Sequence, residues 1–130
     1  MEEVLKFLKE CRIYYLATVD GDKARVRPFG TAEIFEGKLY IQTGKKKDVF
    51  KQIEKNNNVE ICAATDNKWL RITGKLVADD RVEAKKDMLD KEPYLRSMYD
   101  ENDDNSIVLY FESAKATFYS FTEEPRVVEF

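Results

Sequence analysis

Histidine is missing altogether from these 130 residues. Without imidazole there is no Ser-His-Asp or Cys-His nucleophile pair, no His-ligated haem and none of the common zinc sites built on His. No metal site is expected, and the weight shifts toward a bound organic cofactor. Cysteine is scarce as well. Cys11 and Cys62 show neither CxxC nor metal-ligand spacing, and they read as buried free thiols of a reducing compartment. Neither the acidic start at Glu2 and Glu3 nor any later segment looks like a secretory leader, so a cytoplasmic location is expected. No apolar run approaches the ~20 residues of a membrane span. Positive charge is in deficit, with 22 Lys and Arg against 25 Asp and Glu. That balance argues against nucleic acid, which favours a broad positive field. Five glycines and three prolines are too few for linkers. Nothing repeats, and residues 1–130 read as a single domain.

What is present is a patterned globular chain, 43% apolar and 36% charged. Val4, Leu5, Phe7 and Leu8 mark an amphipathic N-terminal helix. A strand over 13–19 meets the turn Asp20-Gly21-Asp22-Lys23, a hairpin signal. A second strand over 24–35 is interrupted by Pro28 and Gly30. Glu36-Gly37 turns the chain into a third strand over 38–43. A helix follows to about Lys55, with Val49, Phe50 and Ile53 on its buried face, and Asn56-Asn57-Asn58 stops it. Residues 59–65 form a strand, and 69–77 alternate with Leu70, Ile72 and Leu76 on one face. Asp79 or Asp80 is expected to cap a helix to about Asp90. A polar stretch over 92–105 precedes two last strands, 106–111 and 116–121. Hairpins imply antiparallel pairing, and many short strands with tight turns favour a barrel flanked by helices.

Three groups could carry function. Arg25, Arg27 and Phe29 share one face of their strand, with Val26 and Pro28 on the other. Two like charges on one face repel unless something negative joins them. Pro28 removes a ladder donor, so this strand is an edge or a bulge, and its free backbone groups could pair with a planar ring. Charge and proline also serve simply to protect an edge from aggregation. The second group is Gln42-Thr43-Gly44-Lys45-Lys46-Lys47-Asp48. Cations opening a helix oppose its dipole by about 0.3–1 kcal/mol each. An anion on the free amides there would answer that cost, with Gly44 allowing close approach. The competing reading is a solvated loop. The GxxxxGK[ST] spacing of a P-loop is absent. The third group is Trp69 and Arg71, which project opposite the apolar face, as interface residues do or as a Trp half-covered by a helix does. Tyr40 and Gln42, opposite Leu39 and Ile41, could share a groove with Arg27.

The order of these elements carries a resemblance. Arg-x-Arg-Pro, Leu-Tyr-Ile-Gln-Thr-Gly, lysine and helix, an Asn-rich stop, Val-x-Ile and Trp-Leu-Arg-Ile-Thr-Gly together resemble the pyridoxamine 5′-phosphate oxidase-like, FMN-binding split-barrel superfamily. The likeness spans residues 3–121. It implies a mainly β fold, a six-stranded antiparallel split barrel with flanking helices. It implies a homodimer with FMN at the interface and a small flavin-dependent oxidoreductase. Arg25, Val26, Arg27, Pro28 and Phe29 would run along the isoalloxazine edge. Gln42 and Thr43 would meet the ring or ribityl chain. Lys47 would hold the phosphate with Lys45 or Lys46. Trp69 would reach the partner subunit's FMN, with Arg71 beside it. NAD(P)H is the candidate reductant, and the substrate and catalytic residues stay unassigned. Other readings are a flavin-binding or storage protein and a phospho-ligand sensor without catalysis.

Overall fold

The computed structural model describes residues 1–130. Helix α1, Glu2–Cys11, opens the chain with Glu2 and Glu3 in its first turn, where acids complement the dipole. It buries Val4 and Leu8. Strands β1, Tyr14–Asp20, and β2, Lys23–Phe29, form the hairpin expected from Asp20-Gly21. Strand β3, Glu33–Phe35, pairs with β4, Lys38–Gly44, across Glu36 and Gly37, both at positive φ. Helix α2, Asp48–Lys55, buries Val49, Phe50 and Ile53, as its pattern requires. Strands β5, Asn58–Ala64, and β6, Lys68–Asp79, follow. Helix α3, Val82–Lys91, leads through a single 3-10 turn, Pro93–Ser97, to strand β7, Ser106–Ser120. Strand β8, Arg126–Glu129, ends the chain.

The sheet is antiparallel throughout, in the order β2-β1-β5-β6-β7-β4-β3, with β8 also on β7. β6 runs along one edge of β7. The other edge is shared between β4, opposite residues 106–110, and β8, opposite residues 115–118. A main core of 21 buried residues includes Leu16, Ile41, Ile61, Leu70, Ile72 and Leu109. A smaller cluster packs α3 and the 3-10 turn onto Tyr40 and Val108. No helix is long and apolar enough to cross a membrane.

The fold differs from the sequence reading in four places. There are eight strands rather than six. The segment 24–35 splits into β2 and β3 at Gly30-Thr31-Ala32. The two last strands are one strand of 15 residues, running through the polar stretch Glu112-Ser113-Ala114-Lys115. A bulge in β7, where Glu112 and Ser113 together stand opposite Lys75 of β6, absorbs the mismatch. A Cβ on Gly74 would lie 2.6 Å from the Ser113 carbonyl, so only glycine lets the strands stay this close. Finally, Asp79 ends β6 and Arg81 takes the N-cap position of α3 without a side-chain cap bond. The Asp79 carboxylate instead accepts from Tyr40 and Arg81.

Candidate functional site

The hairpin register sets Arg25 opposite Thr18, Arg27 opposite Leu16 and Phe29 opposite Tyr14. Directly paired residues share a face, so all three lie on the side of the core residues Leu16 and Tyr14. Val26 and Pro28 lie on the other side, opposite Ala17 and Tyr15. The two arginines then part. Arg25 is exposed and donates to Asp20 at 2.9 Å. Arg27 is half-buried and turns toward α2. It donates to the Leu16 carbonyl at 3.1 Å, to Thr18 Oγ1 at 2.8 Å and to Gln52 Oε1 at 2.8 Å. None of these partners is charged. Arg25, Arg71, Arg81, Arg96 and Arg126 each hold a carboxylate, and Arg27 holds none. Burial, with the nearby Arg25 cation, lowers its pKa from the usual arginine value. A half-buried charge without a counter-ion is costly, and an anion would relieve that cost. β2 is also a terminal strand of the sheet, so one of its backbone edges is unpaired.

The lysine turn is built differently. α2 begins at Asp48, with Lys47 as N-cap and no side-chain cap bond. The three lysines therefore precede the helix rather than forming its first turn. Their amides are already used. Lys45 N–H donates to the Asn105 carbonyl at 2.7 Å, and Lys47 N–H to the Gly44 carbonyl at 3.1 Å. Lys46 N–H donates to Asn105 Oδ1 at 3.0 Å. The Lys45 ammonium meets Asp80 at 2.9 Å. Gly44 serves this packing, because a Cβ there would come within 3.0 Å of the Asn105 amide and 3.2 Å of the Tyr99 hydroxyl. Lys46 and Lys47 are exposed and carry no ion pair. What α2 still offers an anion is these two ammonium groups and the first amides of the helix itself.

Gln42 and Thr43 are buried. The Gln42 amide donates to the Thr43 carbonyl at 2.9 Å and to Ser106 Oγ at 3.4 Å. Tyr40 belongs to the cluster under α3, and its hydroxyl donates to Asp79 at 2.8 Å. Burial and that carboxylate push the Tyr40 pKa well above its ordinary value. Tyr40 is thus covered by α3, the Gln42 amide is taken up by Thr43 and Ser106, and neither side chain joins the hydrogen-bonding group of Arg27.

The outward side of the sheet carries the third group. Trp69 stacks on Tyr119, with ring centroids 5.3 Å apart and planes 9° apart, and touches Phe121. Arg71 pairs with Glu60 at 2.6 Å. Pro28, Tyr15, Cys62, Arg71, Thr117 and Val127 stand in one row across five strand pairings. Tyr15 is 53% exposed, and Phe121 78%. Cys62 is therefore exposed and Cys11 only half-buried, against the buried thiols expected. The cause is the period of two in β5, which sends Ile61 inward and Cys62 outward.

The family model described as pyridoxamine 5′-phosphate oxidase like matches residues 1–128. The chain belongs to the pyridoxamine 5′-phosphate oxidase-like family. It is similar to a NimC/NimA family protein of Clostridium acetobutylicum, at 43% identity over 100% of this chain and 92% of that one, with a TM-score of 0.97. Two more distant structures share the fold. General stress protein 26 of Bacillus anthracis is 18% identical over 98% of this chain and 97% of its own, with a TM-score of 0.75. A pyridoxamine 5′-phosphate oxidase-related, FMN-binding protein of Nostoc punctiforme is 16% identical over 99% and 93%, with a TM-score of 0.67. No curated protein matches. The fold is the family's split barrel.

In this member of the pyridoxamine 5′-phosphate oxidase-like family, four residues around the site escaped the sequence reading. Thr18 and Gln52 hold Arg27, and Thr18 also donates to Gln52 at 2.7 Å. Asn105 locks the lysine turn, and Tyr119 backs Trp69. Thr18 was within reach, because the hairpin register puts it next to the partner of Arg27. Asn105 acts across 59 residues of sequence, and no local pattern signals it.

Proposed function

We propose that the protein binds FMN as a homodimer and acts as a small flavin-dependent oxidoreductase. The observation that carries this reading is Arg27, a half-buried guanidinium with only neutral partners beside an unpaired strand edge. The group fits the residues present. Arg25, Val26, Arg27, Pro28 and Phe29 would run along the isoalloxazine edge, with Pro28 leaving its position free of an N–H. Gln42 and Thr43 are buried on β4, and their side chains share no hydrogen bond with this edge. Lys46 and Lys47, with the first amides of α2, would hold the phosphate. FMN supplies hydride chemistry when bound. Arg27 places a fixed positive charge where negative charge would be stabilised. Trp69 and Arg71 lie on the exposed apolar face with Tyr15, Val26 and Phe121, and a second copy would cover that face.

A nicotinamide nucleotide is the reductant this reading calls for. A second reading, flavin binding without turnover, is favoured by one observation: Thr18 and Gln52, the side chains that touch Arg27, have no proton to exchange near neutral pH. Purified protein is expected to be yellow or to quench FMN fluorescence stoichiometrically. A colourless protein that FMN fails to stabilise against heat would sink both readings. If FMN binds, anaerobic bleaching by NADH or NADPH separates the oxidoreductase from the carrier. Sedimentation should give a dimer, and Phe121→Asp should shift it toward monomer.

A further inference from the structure

A cavity of about 350 Å³ lies away from α2, where the C-terminal end of α1, the β2–β3 break and the 3-10 turn meet. It falls at the lower end of the ~300–1,000 Å³ range of small-molecule sites. Lys9, Arg12, Tyr14, Gly30, Glu92 and Tyr94 are among its lining residues. Two opposite charges on its wall do not meet. Glu92 accepts from the Ala32 amide at 3.2 Å and from the Tyr94 hydroxyl at 3.3 Å, and pairs with no cation. Arg12 carries no ion pair and no side-chain hydrogen bond, and it sits at φ 67°, a conformation other residues than glycine seldom adopt. The neighbouring Lys9 is already taken by Glu33. Burial, with the nearby Glu33 carboxylate, raises the Glu92 pKa, and Lys9 offsets part of that rise. The remaining wall is aromatic, the buried ring of Tyr14 and the exposed ring of Tyr94.

We infer that this cavity binds a small zwitterion with an aromatic body, its ammonium on Glu92 and its carboxylate on Arg12. Charge-assisted hydrogen bonds at both ends would satisfy two groups that the fold leaves without counter-ions. The two tyrosines would flank the ring and the cation. This assignment stands without the flavin, because no residue of the proposed FMN cradle lines the cavity.

The test is calorimetric titration of the full chain with L-phenylalanine, phenethylamine and 3-phenylpropionate, each with and without FMN. L-Phenylalanine is expected to bind at least tenfold more tightly than either single-charge analogue. Glu92→Gln keeps an oxygen for the Ala32 amide and should reduce L-phenylalanine to the affinity of 3-phenylpropionate. Arg12→Gly suits the positive φ, leaves the fold intact and should reduce it to that of phenethylamine. Equal affinities for the three probes, no binding of any of them, or unchanged L-phenylalanine binding in either variant would overturn the assignment. A failure of FMN to bind would leave it standing.

Discussion

Arg27 reaches α2 from β2 through Gln52, and Lys45 stands in the turn that precedes the same helix. Lys45 belongs to a dense cationic run but finds Asp80, and its amide finds Asn105. Arg27 has one cationic neighbour along its strand face, and that neighbour is neutralised by Asp20. Arg27 itself has only Leu16, Thr18 and Gln52. The density of charge in a sequence is therefore a poorer guide to an anion site than the lack of a partner in the fold. An exposed pair such as Lys45–Asp80 contributes about 0–1 kcal/mol. A buried charge left alone costs several times more unless a ligand joins it.

Arg27→Met tests the comparison most severely. FMN affinity should fall ~10- to 100-fold, the worth of one charge-assisted contact. The melting temperature of the FMN-free protein should not fall, because Thr18 still donates to Gln52 and a half-buried charge is gone. A marked loss of stability with unchanged FMN binding would make Arg27 a structural residue. Lys47→Glu comes next. FMN binding measured by fluorescence should weaken about tenfold, the scale of one charge-assisted contact, and riboflavin binding should hold. The same change should stabilise α2 by about 0.3–1 kcal/mol, since an acid suits that end of the helix. Equal losses for FMN and riboflavin would remove Lys47 from the phosphate.

Lys45→Ala should have a small effect, within ~1 kcal/mol of stability by denaturant titration, and should leave FMN binding unchanged. Acid should separate the two cations last and most gently. Lys85 and Lys45 hold the Asp80 carboxyl below its ordinary value of 3.8. A lowered folded-state pKa means the stabilisation is present above 3.8 and is lost as pH falls through the lower folded value. The Lys45→Ala variant should therefore show a shallower acid limb than the parent. Arg27→Met should not alter that limb, because none of its partners titrates there.

The face shared by Arg25, Arg27 and Phe29 was legible in the sequence, because Asp20-Gly21 sets the hairpin and alternation does the rest. The burial of Leu70, Ile72 and Leu76 was legible for the same reason. The partners were not. Whether an arginine meets Asp20 or Gln52 depends on where α2 settles over β1, and nothing local to β2 records that. Strand β7 was misread as two because Glu112-Ser113-Ala114-Lys115 has the composition of a turn. Its ladder with β6 is kept by a bulge at Glu112-Ser113 and by a glycine, Gly74, almost forty residues earlier in the chain. Strand β8 lies in a tail with no alternation long enough to stand out. Its partners are chosen by β7, not by its own residues.

The long strand β7 also has a consequence for how the chain comes off the ribosome. The β3–β4 hairpin joins the rest of the sheet only through β7, and β6 has no second neighbour without it. Until residues 106–120 emerge, the nascent chain holds two separate pieces of sheet with open edges. Such edges invite pairing with other chains, and contacts this distant in sequence form slowly. A chain lacking residues 106–120 would keep these two pieces with no strand to join them.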